Sequence, residues 1–207
     1  MNTTENNARL IVLSAPSGGG KTTLCKQLLA ANVNVVRAVT CTTRAPRGGE
    51  RDGADYFFLT KEVFQQKVAA GEFLEHADVY GNFYGTLKGE VLTKLRSGRD
   101  VLLAIDVQGA ASVRGIAEQD EELHRALLTV FLTPESAAVL EQRLRERGED
   151  SPEAVQKRLG NARQEVTQWV HFDYLIYSTS VAEDLRRMQT VLDAEKMRRR
   201  HVVAPNF

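Results

Sequence analysis

The segment Leu10-Ile11-Val12-Leu13-Ser14-Ala15-Pro16-Ser17-Gly18-Gly19-Gly20-Lys21-Thr22-Thr23 carries the most specific chemistry in the chain. An apolar strand runs into a glycine-rich turn and Lys-Thr opens a helix, the context that a phosphate-binding P-loop requires. Glycines let consecutive backbone N–H groups converge on one anion, because no Cβ blocks the turn or the close approach. The helix N-terminus adds partial positive charge at the same point. Lys21 can then reach the β- and γ-phosphates of a nucleotide, and the Thr22 hydroxyl can take a place on Mg²⁺. Ala15 stands where the strict pattern has Gly. A flexible strand-turn-helix without a ligand is the other reading.

Four more clusters have chemistry-bearing types at telling spacings. In Thr40-Cys41-Thr42-Thr43-Arg44-Ala45-Pro46-Arg47-Gly48-Gly49-Glu50, leading to Tyr56, two arginines sit three apart in a Pro/Gly-rich segment. Guanidinium forks match phosphate oxygens, so Arg44, Arg47 and a tyrosine hydroxyl make a monophosphate clamp; a solvated basic turn is the alternative. In Glu72-Phe73-Leu74-Glu75-His76-Ala77, strand alternation places Phe73, Glu75 and Ala77 on one face. A carboxylate among apolar neighbours needs a partner. Guanine offers one in its adjacent N1–H and N2–H donors, whereas adenine has an acceptor at N1. An ordinary surface acid is the alternative, and His76 on the opposite face reads as structural. In Ala104-Ile105-Asp106-Val107-Gln108-Gly109 an apolar strand ends in an acid, at the edge that faces the ligand crevice of an open α/β sheet; a helix N-cap is the plainer reading. Arg143 and Arg147 share a helical face and Arg158 follows. They suit either a mobile arginine-bearing lid or a solvated, salt-bridged helix.

These residues need a scaffold, and strand-length apolar runs alternating with helical patterns supply a parallel sheet covered by helices. Strands are expected at Leu10–Ser14, Val35–Thr40, Val101–Val107, Leu127–Leu132 and Tyr174–Tyr177. Helices are expected near Thr22–Ala31, Lys88–Arg96, Ala110–Ala117, Glu135–Arg147, Pro152–Val170 and Val181–Arg199, with Thr133 capping the fourth and Pro134 at its first position. The rhythm changes in the middle. Asp55–Leu59 reads as a strand, Lys61–Ala70 as a short helix closed by Gly71, and Phe73–Tyr80 as a strand. A hairpin turn at Tyr80-Gly81-Asn82-Phe83 follows, with Gly and Asn supplying positive φ. Residues 44–86 thus form a small antiparallel insertion.

Composition sets the outer bounds. The 207 residues suit one domain, and 27 basic and 27 acidic residues cancel; nothing points to nucleic acid or membrane. No apolar run approaches ~18 residues, and residues 1–9 are polar, read as a loose tail without a secretory signal. Cys25 and Cys41 form neither a disulfide framework nor a zinc spacing. A reducing cytoplasm fits. Oligomeric state, including a homo-oligomer, is left open.

Taken in order, the clusters resemble the guanylate kinase family over most of the chain. The specific runs are Thr-Thr-Arg-Ala-Pro-Arg-Gly-Gly-Glu at 42–50, Phe-Leu-Glu at 73–75 and Gly-Asn-Phe-Tyr-Gly-Thr at 81–86. Asp-Val-Gln-Gly at 106–109 and Arg-Leu-Arg-Glu-Arg-Gly at 143–148 add to them. The resemblance implies a P-loop NTPase-type parallel sheet with a core (about 8–40, 87–134 and 166–207), a GMP-binding region (about 41–86) and a helical lid (about 135–165). It implies transfer of the ATP γ-phosphoryl group to GMP, and to dGMP, with Mg²⁺. Ala15, Pro16, Ser17, Gly18, Gly19, Gly20, Lys21, Thr22 and Thr23 would hold ATP, with Thr22 toward the metal. Arg44, Arg47, Tyr56 and Tyr84 would hold the GMP phosphate, while Thr40, Glu75, Thr86 and Asp106 would read guanine. Lys21, Arg143, Arg147 and Arg158 would serve the phosphoryl group in transit.

Two departures stand out. Ala104 replaces an acid common in relatives, and Ser178-Thr179-Ser180 replaces Asn followed by acids, which alters contacts to the adenine end. Glu118–Glu122 reads as a lengthened surface loop. A P-loop kinase of a sugar phosphate and a non-catalytic binding module are the rival readings.

Overall fold

The computed structural model describes residues 7–146 and 151–198. Five strands, β1 (Leu10–Ser14), β2 (Val35–Arg37), β7 (Asp100–Ala104), β8 (Leu127–Pro134) and β9 (Tyr174–Ser178), form one sheet in the order β2-β7-β1-β8-β9. Every pairing in it is parallel, so all the carboxyl ends open on one edge, where α/β sheets bind ligands. Alternation along β1 divides the core into two layers. Ile11 and Leu13 pack with Leu24, Cys25 and Leu28 of α1 (Lys21–Ala31) and with Met188 and Leu192 of α8 (Val181–Lys196). Leu10 and Val12 pack on the other side with α3 (Lys88–Arg96), α4 (Val107–Ala117) and α5 (Glu121–Ala126).

The inserted segment builds a second sheet from β3 (Thr40–Thr42), β4 (Tyr56–Phe58), β5 (Phe73–Val79) and β6 (Asn82–Leu87), in the order β4-β3-β6-β5. It is mixed: β3 and β4 run parallel, while β6 is antiparallel to both β3 and β5. One face is apolar. Cys41, Phe57, Phe73 and Phe83 press on Phe64 of α2 (Lys61–Ala69), whose ring stacks on Phe73 at 4.5 Å and Phe83 at 5.4 Å. The two helices expected to form a lid, α6 (Ala137–Glu146) and α7 (Pro152–Val166), have their own small core of Leu140, Leu144, Val155, Leu159 and Ala162. A 3-10 turn (Thr167–His171) joins α7 to β9, so the helix expected to reach Val170 ends earlier.

Other expectations change with identifiable causes. Val35–Thr40 is two strands; the chain leaves the parallel sheet after Arg37 and Thr40 joins the second sheet. β7 stops at Ala104, because Asp106 turns and caps α4. Thr133 and Pro134 do not open a helix: they end β8, with Pro134 opposite Ser178, and the Ser136 hydroxyl caps α6 by accepting from the Val139 N–H at 3.3 Å. Pro134 has no N–H to extend the ladder, and β8 ends there. The segment 118–122 is not a plain loop; Asp120 caps α5, accepting from Leu123 N–H at 3.1 Å. Of the supposed loose tail, Ala8 and Arg9 are buried, and Arg9 N–H donates to Asp100 at 2.8 Å. The hairpin turns on Tyr80 (φ 53°) and Gly81 (φ 81°), not on Asn82, which already pairs with Val79.

Candidate active site

The P-loop follows β1 as expected. Gly18 (φ 85°) and Gly20 (φ 97°) adopt the left-handed backbone that a curled anion cradle needs. Gly18 is doubly constrained, since a Cβ there would lie 2.8 Å from Leu144 of the lid. The Ala15 methyl is buried in the core beneath the loop, so it fits where the motif prefers Gly. Residues Ala15 to Thr22 line a cavity of about 280 Å³ together with Asp106 and Glu165. Lys21 Nζ donates to Ile105 O at 2.8 Å. Burial pulls its ammonium below the usual lysine range, and the Asp106 and Glu165 carboxylates oppose that shift.

The polar face of the mixed sheet collects the residues singled out for the second substrate. Thr86 Oγ1 donates to Glu75 Oε1 at 2.6 Å, in a buried pair. The β3–β6 register (Cys41 opposite Gly85, Thr42 opposite Tyr84) carries on to set Thr40 across from Thr86. Thr40, Thr86 and Glu75 therefore form a row across three adjacent strands. Tyr56 pairs with Thr40, and its ring meets Tyr84 edge-on at 6.2 Å. Glu75 does not share a face with Phe73, as simple alternation expects. A bulge between them leaves Phe73 with His76 on the apolar side, their rings 6.0 Å apart, and turns Glu75 to the polar side. Gly85 makes room for the bulge, because a Cβ there would come within 2.8 Å of Phe73 and 3.0 Å of Glu75 O. Burial pushes the Glu75 carboxyl above the usual carboxylate range; the Thr86 hydroxyl opposes this and the Asp106 charge adds to it.

Asp106 joins the two halves, since its charge acts on both Lys21 and Glu75. It is also the N-cap of α4, accepting from Gly109 N–H at 2.8 Å, as the plainer reading expects. Arg44 is held in place by Glu50, a partner that sequence reasoning quoted but gave no role. Its Nη2 meets both carboxylate oxygens at 2.9 and 3.0 Å, Nη1 donates to Ala45 O, and the guanidinium lies 5.5 Å from the Tyr56 ring centre. Arg47 is exposed and contributes its backbone N–H to Glu50 at 2.8 Å.

Of the lid arginines, Arg143 donates to Ser178 Oγ at 2.9 Å, Ser178 O at 3.0 Å and Thr179 O at 3.3 Å. Ser178 Oγ in turn donates to the buried Asp184 at 2.7 Å. This corner, with Gly18, Gly20, Thr23 and Val181, lines a cavity of about 380 Å³ on the other flank of the P-loop. Arg158 lies half-buried on α7, and Arg147 lies outside the described residues. Asp184 and Glu165 had no sequence signal, as both are single acids on helices that only the fold brings to the P-loop. Among the described residues no cluster of three or more His, Cys, Asp or Glu is placed to hold a metal, and no helix is long and apolar enough to cross a membrane.

Comparison with known proteins agrees with this geometry. A family model described as guanylate kinase matches residues 7–195. A guanylate kinase of Paramagnetospirillum magneticum is 43% identical over 206 residues, covering 99% of this chain and 94% of that protein. One from Maricaulis maris is 43% identical, covering 92% of this chain and 84% of that one. The crystal structure of guanylate kinase from Anaplasma phagocytophilum superposes with a TM-score of 0.68 at 32% identity, covering 94% of this chain and 89% of that one. A P-loop beside a polar sheet face, on a parallel sheet with a helical lid, and these relatives over nearly the whole length agree: the chain belongs to the guanylate kinase family.

Proposed function

We propose that this enzyme passes the γ-phosphoryl group of ATP in line to the phosphate of GMP, or of dGMP, giving ADP and GDP, or dGDP. The row Thr40–Thr86–Glu75, joined to the P-loop through the Asp106 charge that acts on both Glu75 and Lys21, supports this most directly. A buried carboxylate, one of its oxygens accepting from Thr86, offers an acceptor pair that matches the N1–H and N2–H of guanine, and it repels the N1 acceptor of adenine. Arg44, pre-oriented by Glu50, and the hydroxyls of Tyr56 and Tyr84 hold the GMP phosphate, with Arg47 closing from the rim. The P-loop N–H groups and Lys21 hold the ATP phosphates, and the adenosine end lies in the cavity beside Ser178 and Arg143. Arg143, Arg147 and Arg158 neutralise the migrating charge as the lid closes. Phosphoryl transfer of this kind needs positioning and charge neutralisation more than acid–base chemistry. A site of Arg, Lys and hydroxyls meets that need.

The hard oxygen donors beside the cradle, the Thr22 hydroxyl and Asp106, suit Mg²⁺ held largely through phosphates and water. When bound, that ion neutralises charge on the β- and γ-phosphates. A cytoplasmic location fits the intracellular supply of both nucleotides. A sugar-phosphate acceptor would leave the Glu75 row nothing to read, and a non-catalytic module has no use for an intact Lys21 and Thr22.

An ADP-release assay with GMP, AMP, UMP and CMP tests the reading. GMP is expected to exceed the other acceptors in kcat/KM by at least about 10³-fold; equal use of AMP would overturn it. Arg47→Ala removes one charged contact to the GMP phosphate, worth about 1.5–3 kcal/mol. It is expected to raise the GMP KM by about 10- to 100-fold with the ATP KM unchanged, and an unaltered GMP KM removes Arg47 from the clamp.

A further inference from the structure

One contact inside the P-loop belongs to neither substrate. The Ser17 N–H donates to Glu165 Oε2 at 3.1 Å, across 148 residues of sequence. Glu165 lies in the last turn of α7, half-buried, and lines the same cavity as Lys21, Thr22 and Asp106. A P-loop N–H is a group built to receive phosphate oxygen, and here a carboxylate oxygen takes it.

We propose that Glu165 is an internal competitor for the triphosphate cradle. Its carboxylate occupies part of the P-loop while no nucleotide is bound, and ATP must displace it. A carboxylate and a phosphate cannot both accept from the Ser17 N–H at close range, because like charges repel strongly where water is scarce. The displaced group carries α7 with it, so arrival of ATP removes one contact that fixes the position of α7 at the P-loop. The tie is local and specific. Leu140 and Leu144 of the lid core pack at Gly18, one residue from the hydrogen bond, and α7 reaches that core through Leu159 and Ala162. Glu165 also lies two helical turns after Arg158 on the same face of α7. A shift of α7 that withdraws the acid therefore moves Arg158 with it.

This inference rests on the P-loop being the ATP site. Calorimetric titration of the full-length protein with ATP, and separately with inorganic pyrophosphate, in the absence of GMP, tests it in wild type, Glu165→Gln and Glu165→Ala. An occupied cradle reduces apparent affinity by the fraction of molecules that are open, so both variants are expected to bind ATP and pyrophosphate about tenfold more tightly. A second measurement follows the Ser17 amide by nitrogen-15 NMR. Glu165→Gln is expected to shift it in the free protein and to leave it unchanged in the ATP complex. Equal or weaker ATP binding by the variants, or a Ser17 amide that responds equally in both states, overturns the proposal. Failure of wild type to bind ATP at all would instead overturn the assignment of the site.

Discussion

Glu75→Gln is expected to lower kcat/KM for GMP by about 10²–10⁴-fold, since two hydrogen bonds to a charged group contribute about 1.5–3 kcal/mol each. The amide keeps the shape and can still accept from Thr86, but it offers guanine one acceptor and one misplaced N–H₂. Stability is expected to move the other way. Burial raises the Glu75 pKa in the folded protein above its unfolded value, opposed by Thr86 and reinforced by Asp106. Its neutral form therefore contributes stability below the unfolded pKa, and that contribution is lost as pH rises through the folded pKa. At neutral pH the ionised side chain is a burden on the fold, and a neutral amide is expected to raise Tm by about 2–4 °C. The same shift has a kinetic signature. Wild-type kcat/KM for GMP is expected to decline on acidification through a limb above the ordinary carboxylate range, a limb absent from the variant. Steady-state kinetics and a thermal melt on one preparation check both halves; a variant with wild-type GMP kinetics would remove Glu75 from base recognition.

Lys21→Met is expected to lower kcat by about 10²–10³-fold, the effect of removing one preorganised donor from developing negative charge. Without nucleotide the Lys21 ammonium rests on Ile105 O at 2.8 Å, at the end of the strand that leads to Asp106. It is thus already aimed into the cavity, and triphosphate has only to draw it from a carbonyl. Methionine fills the space of the side-chain stem and removes an ammonium that burial disfavours, so the fold is expected to survive with a Tm no lower than that of wild type. Coupled turnover assays at saturating GMP and ATP read the effect. A variant within tenfold of wild type would place the charge stabilisation elsewhere, on the lid arginines.

The sequence was most legible where chemistry and local structure coincide. The P-loop could be read because its glycines, Lys21 and Thr22 are contiguous, and one strand-turn-helix unit positions them all. Asp106 stood out for a similar reason, two residues past the end of a strand at the cap of the next helix. The Glu75 face was misread because a bulge changes the period of two, and nothing in Phe73-Leu74-Glu75 marks one; the glycine that makes room for it, Gly85, is on the partner strand. Val35–Thr40 looked like one strand since nothing between Arg37 and Thr40 breaks the pattern, yet tertiary packing divides it between two sheets. Thr133-Pro134 matched a helix start by local preference, and pairing with β9 overrode it. Long-range partners such as Glu165 and Asp184 leave no trace in spacing at all.

The mixed sheet enters the chain after β2 and leaves it into α3, and it carries a separate apolar core around Phe64. On the proposed assignment, most of base choice and triphosphate handling are therefore encoded in different stretches of the gene, with Asp106 the residue that faces both. Evolution, or an engineer, can exchange residues on one wall to accept a new monophosphate while the machinery that grips the donor is inherited intact.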